Sequence, residues 1–480
     1  MAGAKTNSYG FRSHERRPEL PAGDEEEFAE SRGDMTTGTN FSVAAPSTEP
    51  LADAEGSSLW SGKRRYIAAL LFLNLFINFM HRINLSVAAP AIARDFGWDA
   101  GKMGLLFSSY QWTYCFFLLM WGWLTDRVGT RLVNGLSVTI WSIAGMLTGV
   151  ATSFGGMLTT RLALGAGEAA SFPTSAKVVR QWFPPSERGL ATAIFNAGTF
   201  AGPAFSAPLV AWLLLKVGWR MSFMMTGSLG FIWVVLWLKF FRVPAECKWL
   251  PEEERNYISA QTDSGAKPVP PPKGALLRLI SRKTMWGLFL TQGCCAYTML
   301  LFLFWLPSYL VQSRHMSLVK AGWFTSLPYV VAVVLGLLIG RLSDALLTGE
   351  AVRQGKRRTL LIVFILLSGV VLVTNMVANQ YVLLLLISIS LACISGALSL
   401  NIALTNDLVW NPEMVGTAIG FLMLGGNIFG SLVPIATGYI VKWTGSFDFA
   451  FYLAGVLLFV AALICFTLTR RPLNFDATQA

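Results

Sequence analysis

Arg161 and Glu168 stand seven residues apart in an apolar run, GMLTTRLALGAGEAASFPTSA at 156–176, that is long enough to cross a bilayer. An ionised side chain at bilayer depth costs roughly 2.5 kcal/mol or more, so such residues face a protein interior or a watery cavity and mark a path for substrate or proton. In an α-helix a spacing of seven returns to nearly the same face, about 10 Å along the axis. A cation and an acid therefore look into one space. Small neighbours, Gly165, Gly167, Ala169 and Ala170, let another helix approach Glu168. A second arginine, Arg82, lies deep in the first apolar segment, which begins near Tyr66. Arginine's planar fork recognises carboxylates through paired hydrogen bonds, so two intramembrane arginines suit an organic anion. The competing readings are a permanent Arg82–Glu168 ion pair and an Arg161 that snorkels to the nearer interface.

The elements that must position these residues follow from composition. With 54% hydrophobic and 14% charged residues, the 480-residue chain is too apolar to be soluble. It reads as an all-α polytopic membrane protein. Apolar runs start near Tyr66, Met103, Val133, Gly156, Leu190, Met221, Met285, Ala321, Thr359, Val382, Val415 and Phe449, which predicts twelve spans. Basic residues alternate between loops: Lys63, Arg64 and Arg65 precede the first span, Arg127 and Arg131 follow the second, Lys177, Arg180 and Arg188 the fourth, and Arg353, Lys356, Arg357 and Arg358 the eighth. The positive-inside rule then places both termini in the cytoplasm.

The net charge of +11 resides mostly in these short loops and forms no single basic face, which argues against a nucleic-acid partner. Six cysteines show no metal-ligand spacing and read as buried thiols. Three histidines, His14, His81 and His315, have no pair at ligand spacing, so neither a metal site nor a membrane-embedded enzyme is expected. No phosphate-binding G-x-x-x-x-G-K-[ST] motif occurs, and no cofactor is expected.

Along the chain, 1–62 reads as a disordered cytoplasmic tail, 63–242 as a six-helix bundle, 243–283 as a cytoplasmic linker, 284–471 as a second six-helix bundle and 472–480 as a cytoplasmic tail. Within the linker, Pro251 and the acidic residues after it predict a short surface helix over 250–264, followed by a stiff KPVPPPKG connector. GWLTDRVGTR at 122–131 recurs weakly as GRLSDALLTG at 340–349, at the corresponding place in the second half. Asp126 and Asp344 can pair with Arg or helix N-termini across these ends while Gly122 and its counterpart permit close packing, which would either latch one face or form a fixed structural cap. Asp407 and Glu413 read as solvated loop charges.

The G-x-x-x-D-R-x-G-x-R pattern of Gly122, Asp126, Arg127, Gly129 and Arg131 is similar to the loop signature of the major facilitator superfamily. RINLSVA at 82–88, RLALGAGEAASFP at 161–173 and WFPPSERGLATAIFNAG at 182–198 resemble its anion:cation symporter family, which includes bacterial sugar-acid and phthalate permeases, sialin and vesicular glutamate carriers. That resemblance implies two six-helix bundles and a carboxylate bound by Arg82 and Arg161, with Glu168 a candidate for proton coupling. Phe79, Tyr114, Thr199 and Asn427 match further substrate-binding positions. Sugar-acid permeases often carry Tyr at the position of Phe79 and Gln at that of Thr199; the less polar pair here suits a less hydroxylated anion. They usually carry Asp where this chain has His81. An imidazole there can titrate near neutrality and carry the proton, or simply hydrogen-bond within the helices.

The expected protein is thus a monomeric carrier in a bacterial inner membrane, surrounded by lipid, moving a small organic anion with a cation, most simply a proton. A neutral-solute facilitator and a non-transporting sensor are the alternatives.

Overall fold

The computed structural model describes residues 62–261, 274–346, 356–409 and 412–470. The N-terminal tail, the KPVPPPKG connector apart from Gly274, and the C-terminal tail lie outside the described residues, as does Arg353. All regular structure described is helical: α1 (Arg64–Phe96), α2 (Ala100–Val128), α3 (Thr130–Val150), α4 (Phe154–Glu168), α5 (Ser171–Trp182), α6 (Pro185–Phe240), α7 (Glu252–Gln261), α8 (Ala275–Ile280), α9 (Lys283–Gln312), α10 (Leu318–Leu346), α11 (Lys356–Ser368), α12 (Gln380–Leu408), α13 (Pro412–Thr444) and α14 (Asp448–Leu468). Without water to serve the backbone, a chain this apolar must satisfy its amides internally, and helices do so. Nine stretches among the described residues are long and apolar enough to cross a membrane.

Local chemistry sets where the rods stop. At 1.5 Å per residue the 56 residues of α6 would run roughly 84 Å, far beyond a bilayer. Gly218, at φ 79° and ψ 169°, breaks it into two rods with a conformation that side-chain-bearing residues avoid. Gly129, at φ 95°, does the same between α2 and α3. The break between α4 and α5 was not foreseen, although Pro173 supplies its cause. Proline has no N–H to donate to the carbonyl four residues back, so the ladder loosens at Ala169–Ala170. Glu168 consequently ends α4 rather than sitting within an unbroken span. Side-chain caps begin α2 and α12, where Asp99 accepts from the Lys102 amide at 2.8 Å and Asn379 from the Tyr381 amide at 2.9 Å.

Two helical halves result. In the first, α6 packs on α1 and α3, and α4 on α2 and α3; in the second, α9 packs on α13 and α14, and α12 on α10 and α11. The halves meet through α2 with α13, the first rod of α6 with α10, and α1 with α9. The first two contacts exchange under a swap of equivalent spans, as the weak internal repeat leads one to expect.

Among the described residues, the hydrogen bonds and ion pairs that join the halves crowd toward one end, that of Asp99. Lys442 Nζ lies 3.0 Å from Asp99 Oδ2. Gly104 and Gly438 touch backbone to backbone, so that a Cβ on Gly104 would fall 2.3 Å from the Pro434 carbonyl oxygen. Ser108 donates to the Ser431 carbonyl, Ser86 to that of Phe304 at 2.7 Å, and Ser326 to that of Ala204. Toward the Asp126 end, the ion pairs found among the described residues stay within one half: Lys177 with Asp126 at 2.8 Å and Arg357 with Asp407.

The linker's helix forms as expected behind Pro251 and is fastened to the first half. Buried Arg64 pairs with Glu187 and, at 3.0 Å, with Glu254 of α7, while its guanidinium lies over the Tyr257 ring.

Candidate functional site

Arg82 projects from α1 toward the C-terminal end of α4. Its Nε lies 3.0 Å from Glu168 Oε2, and the guanidinium stands over Phe79 at 4.3 Å, Tyr110 at 4.8 Å and Tyr114 at 5.4 Å from the ring centroids. Aromatic faces carry negative potential, so this cage holds the cation without discharging it. Relative exposure is 8% for Arg82, 2% for Arg161 and 0% for Glu168. The ion pair weighed as a competing reading is therefore present. Arg161 does not snorkel; it is buried between α3 and α6, with Nη2 3.4 Å from Thr148 Oγ1 and its guanidinium 5.8 Å from the Phe223 ring. Arg161 nevertheless stays within electrostatic reach of Glu168 and Tyr110.

What distinguishes this cluster from a closed structural pair is its unfinished bonding. Arg82 Nη2, Arg161 Nε, Glu168 Oε1 and the Tyr110 hydroxyl are buried and have no hydrogen-bond partner among the described residues. Buried polar atoms are nearly always paired, because an orphan costs about 1–3 kcal/mol, and more when charged. Three of the four orphans can donate, and they stand beside the one acceptor, the free oxygen of Glu168.

His81, the other candidate for coupling, turns away from the Arg82–Glu168 pair but stays within electrostatic reach of Arg161. Neighbouring helix residues point about 100° apart, and the imidazole turns to α3 and α6. Its Nε2 is 3.2 Å from the Thr226 carbonyl oxygen and its ring centroid 5.7 Å from that of Trp141. Asn84 joins the same seam, donating to Thr226 Oγ1 at 2.7 Å.

The remaining candidates divide. Phe79 and Tyr114 line the Arg82 cage. Thr199 donates to its own helix, at the Asn196 carbonyl 2.7 Å away, one turn before Gly202 packs on Phe79. Asn427 joins the halves from α13, where its side-chain oxygen accepts from Gln111 of α2, the residue after Tyr110. Gln111 was missed, although the polar SSYQ at 108–111 within an apolar span was the signal. In the second half Asn401 and Gln292 pair at 2.9 Å, and Trp305 packs edge-on against Phe107.

The described partners of the loop motif lie within the first half. Asp126 pairs with Lys177 of its own half, Arg127 lies over Trp123 at 4.2 Å, and Arg131 donates to the Leu238 carbonyl at 2.6 Å. Gly122 faces open space, with nothing within 4 Å of where its Cβ would be. Among the described residues, the contacts between the halves lie at the opposite end. Asp344 belongs to α10, but its side chain lies outside those described, as does that of Glu413. Asp407, expected as a solvated loop charge, instead ends α12 in an ion pair with Arg357. All six cysteines are free thiols.

The sequence profile described as the Major Facilitator Superfamily matches residues 71–352 and 320–478. The chain belongs to the Major Facilitator Superfamily. Among relatives in this superfamily, the "Probable galactarate/D-glucarate transporter" of Escherichia coli K12 is 33% identical over 88% of this chain and 95% of its own length. The "D-galactonate transporter" of E. coli O6:H1 is 30% identical over 83% of this chain and 94% of its own. A bacterial homologue of the human lysosomal transporter Spinster, solved in an inward-facing, unoccupied conformation, shares the fold with a TM-score of 0.68 at 18% identity, covering 85% of this chain and 97% of that one. This Major Facilitator chain is accordingly an integral, multi-pass membrane protein of a transporter family, and not an enzyme.

Proposed function

We propose that this protein is a secondary carrier that moves an organic anion by alternating access and couples its passage to a proton. The observation that carries this reading is the set of orphaned donors on Arg82 and Arg161 beside the orphaned acceptor of Glu168. A substrate carboxylate supplies the acceptors that the two guanidinium groups lack. Two cations against one acid leave a positive balance that favours an anion even when Glu168 is ionised. Protonating Glu168 would release Arg82 from its partner and raise that balance, so anion and proton would each favour the other's binding. Linkage of this kind is what symport requires.

The named substrates of the relatives, sugar acids, support an organic anion as the cargo. Phe79 and Thr199 reduce the hydrogen-bonding capacity of the walls and lean the choice toward a less hydroxylated member of that class. With twelve crossings and both termini in the cytoplasm, the convergent Asp99 end faces outward and the molecule is open to the inside. It would act as a monomer in the lipid of a bacterial inner membrane.

The test is uptake into proteoliposomes under an inward proton gradient, screening D-glucarate, galactarate, D-galactonate and less hydroxylated carboxylates. Gradient-driven accumulation of one of them is expected. Glu168→Gln should abolish accumulation while sparing counterflow exchange, in which no net proton moves. Equal uptake with the gradient collapsed would remove proton coupling; uptake undiminished in Arg82→Ala and Arg161→Ala would replace the anion carrier with a neutral-solute facilitator.

A further inference from the structure

Two phenols of α2 stand over Arg82, and their hydroxyls differ. Tyr110 and Tyr114 lie one turn apart on a single helix face, with ring centroids 5.8 Å apart. The Tyr114 hydroxyl engages Arg82, whereas the Tyr110 hydroxyl is buried with no hydrogen-bond partner among the described residues, on a side chain 3% exposed. A buried O–H with neither its donor nor its acceptor role filled destabilises the fold unless a ligand completes it. Phenylalanine would give Arg82 the same aromatic face without that cost, so neither packing nor the cation–π contact accounts for the hydroxyl.

The backbone holds this phenol where the ionisable groups meet. A Cβ on Gly165 of α4 would collide with the Tyr110 carbonyl oxygen, so the two helices touch directly at that point. The contact is also fastened by Thr113, which donates to the Leu162 carbonyl at 2.7 Å, and by Trp121 Nε1, which donates to the Ala166 carbonyl at 2.6 Å. Glu168 follows Gly165 by three residues and shares its side of α4. The Tyr110 ring centroid lies 4.8 Å from the Arg82 guanidinium, and Glu168 and Arg161 both stand within electrostatic reach of the phenol.

We propose that the Tyr110 hydroxyl is a substrate ligand, donating to the same carboxylate that Arg82 and Arg161 bind. This inference deepens the organic-anion reading and rests on it. An ionised carboxylate has two oxygens and about four acceptor positions. The unpartnered donor atoms gathered here are Arg82 Nη2, Arg161 Nε and the Tyr110 oxygen, three in all. A protonated Glu168 supplies a fourth through its free oxygen. With Glu168 ionised that fourth donor is missing and its place is taken by an acceptor that repels the carboxylate, so anion and proton complete the set together. Tyr110 is the neutral member of the set, and its O–H turns toward an acceptor without any ion pair having to break.

The experiment compares the full chain with Tyr110→Phe, which keeps the ring and removes the hydroxyl alone. D-galactonate, D-glucarate, acetate and benzoate are titrated by calorimetry, and thermal melting is followed with and without each. Wild type is expected to bind at least one of them one-to-one, and Tyr110→Phe to bind the same probe about tenfold or more weakly, as loss of a hydrogen bond to a charged group requires. Without ligand the variant should melt at or above the wild-type temperature, because an unpaired buried hydroxyl has been removed. In uptake assays the loss should fall on KM rather than kcat. A phenol that only braces Arg82 predicts the reverse pattern: affinity intact in Tyr110→Phe and reduced only when the ring goes, in Tyr110→Leu. Wild-type binding that Tyr110→Phe leaves intact, or a ligand-free melting temperature that falls in that variant, overturns this inference alone. A wild type that binds none of the carboxylates overturns the organic-anion reading and this inference with it.

Discussion

Replacing Gly104 with alanine adds one carbon at the tightest crossing between the halves. The new Cβ would lie 2.3 Å from the Pro434 carbonyl oxygen, 3.1 Å from its carbon and 3.3 Å from Gly438 Cα. Carbon and oxygen settle near 3.3 Å, so α2 and α13 must separate there by roughly 1 Å. The obstacle is backbone, which cannot swing aside as a side-chain tip can. Overpacking of this kind costs about 1–3 kcal/mol. Because the contact joins the halves and leaves each half's own packing untouched, the cost falls on the convergent state and shifts the open-to-closed ratio at this end by roughly 5- to 150-fold. Spin labels on cysteines at 102 and 443, with Cys115 replaced, read the separation in nanodiscs by electron–electron double resonance. The expected result is a new longer-distance population, with slower uptake and little loss of thermal stability. Gly438→Ala meets the Ala100 carbonyl oxygen at 2.5 Å and should act likewise, without adding to Gly104→Ala because both open one contact. Gly155→Ala, which meets nothing within 4 Å, is the control. An unchanged distance distribution in Gly104→Ala, or an equal change in Gly155→Ala, would refute the reasoning.

Two further outcomes are expected. The Asp99 carboxyl is held below its ordinary value of 3.8 by the Lys102 amide and then by Lys442, so its contribution to the convergent end is present above that value and lost as pH falls through the depressed one; the same spin-label distance should stay constant from neutrality to mild acid as far as Asp99 is concerned, lengthen in strong acid, and lengthen at neutral pH in Lys442→Glu unless Asp99→Lys is added. Arg64→Ala leaves Glu187 and Glu254 facing each other without their shared cation, at a cost of about 3 kcal/mol or more, and should raise amide exchange across 252–261 well above wild type; unchanged protection there would mean that Tyr257 and the Trp182–Trp249 stack hold α7 unaided.

The helices were legible because apolar length and breakers act locally. Expected starts near Tyr66, Met103, Met285 and Phe449 fall within a few residues of α1, α2, α9 and α14. Arg82, Arg161 and Glu168 were legible because charge at bilayer depth is costly wherever it occurs. What stayed hidden depends on rotation or on distant chain. His81 and Arg82 are consecutive, and no local pattern says which of them turns toward α4. Gly104 and Gly438 lie in different halves, and each alone is one small residue among many in an apolar helix. Asp126, read as either a latch or a fixed cap, pairs with Lys177 within its own half. A sequence that encodes two alternating arrangements carries the contacts of both, and only a structure shows which set is engaged.

That division bears on how the charges are distributed. The ionisable cluster of Arg82, Arg161 and Glu168 belongs wholly to the first half, while the buried polar groups described in the second half are neutral: Asn427, bonded to Gln111 across the halves, and the Asn401–Gln292 pair. If each half carried its own charge to the centre, opening and closing would have to separate ions in a medium of low dielectric, at a cost of several kcal/mol each way. Keeping the Arg82–Glu168 pair inside one half lets the centre open by breaking amide and hydroxyl contacts, worth about 1 kcal/mol apiece, while the solvent-exposed Asp99–Lys442 pair parts at the rim. The charged end of a substrate then travels with the first half, and the second half needs only to match what remains of it. Selectivity among anions should therefore respond to Asn427 and Gln111, and the requirement for negative charge to Arg82 and Arg161. Asn427→Ala should change the ranking of carboxylates in competition uptake while leaving neutral analogues excluded; admission of a neutral analogue by that variant would place charge selection in the second half and defeat this division of labour.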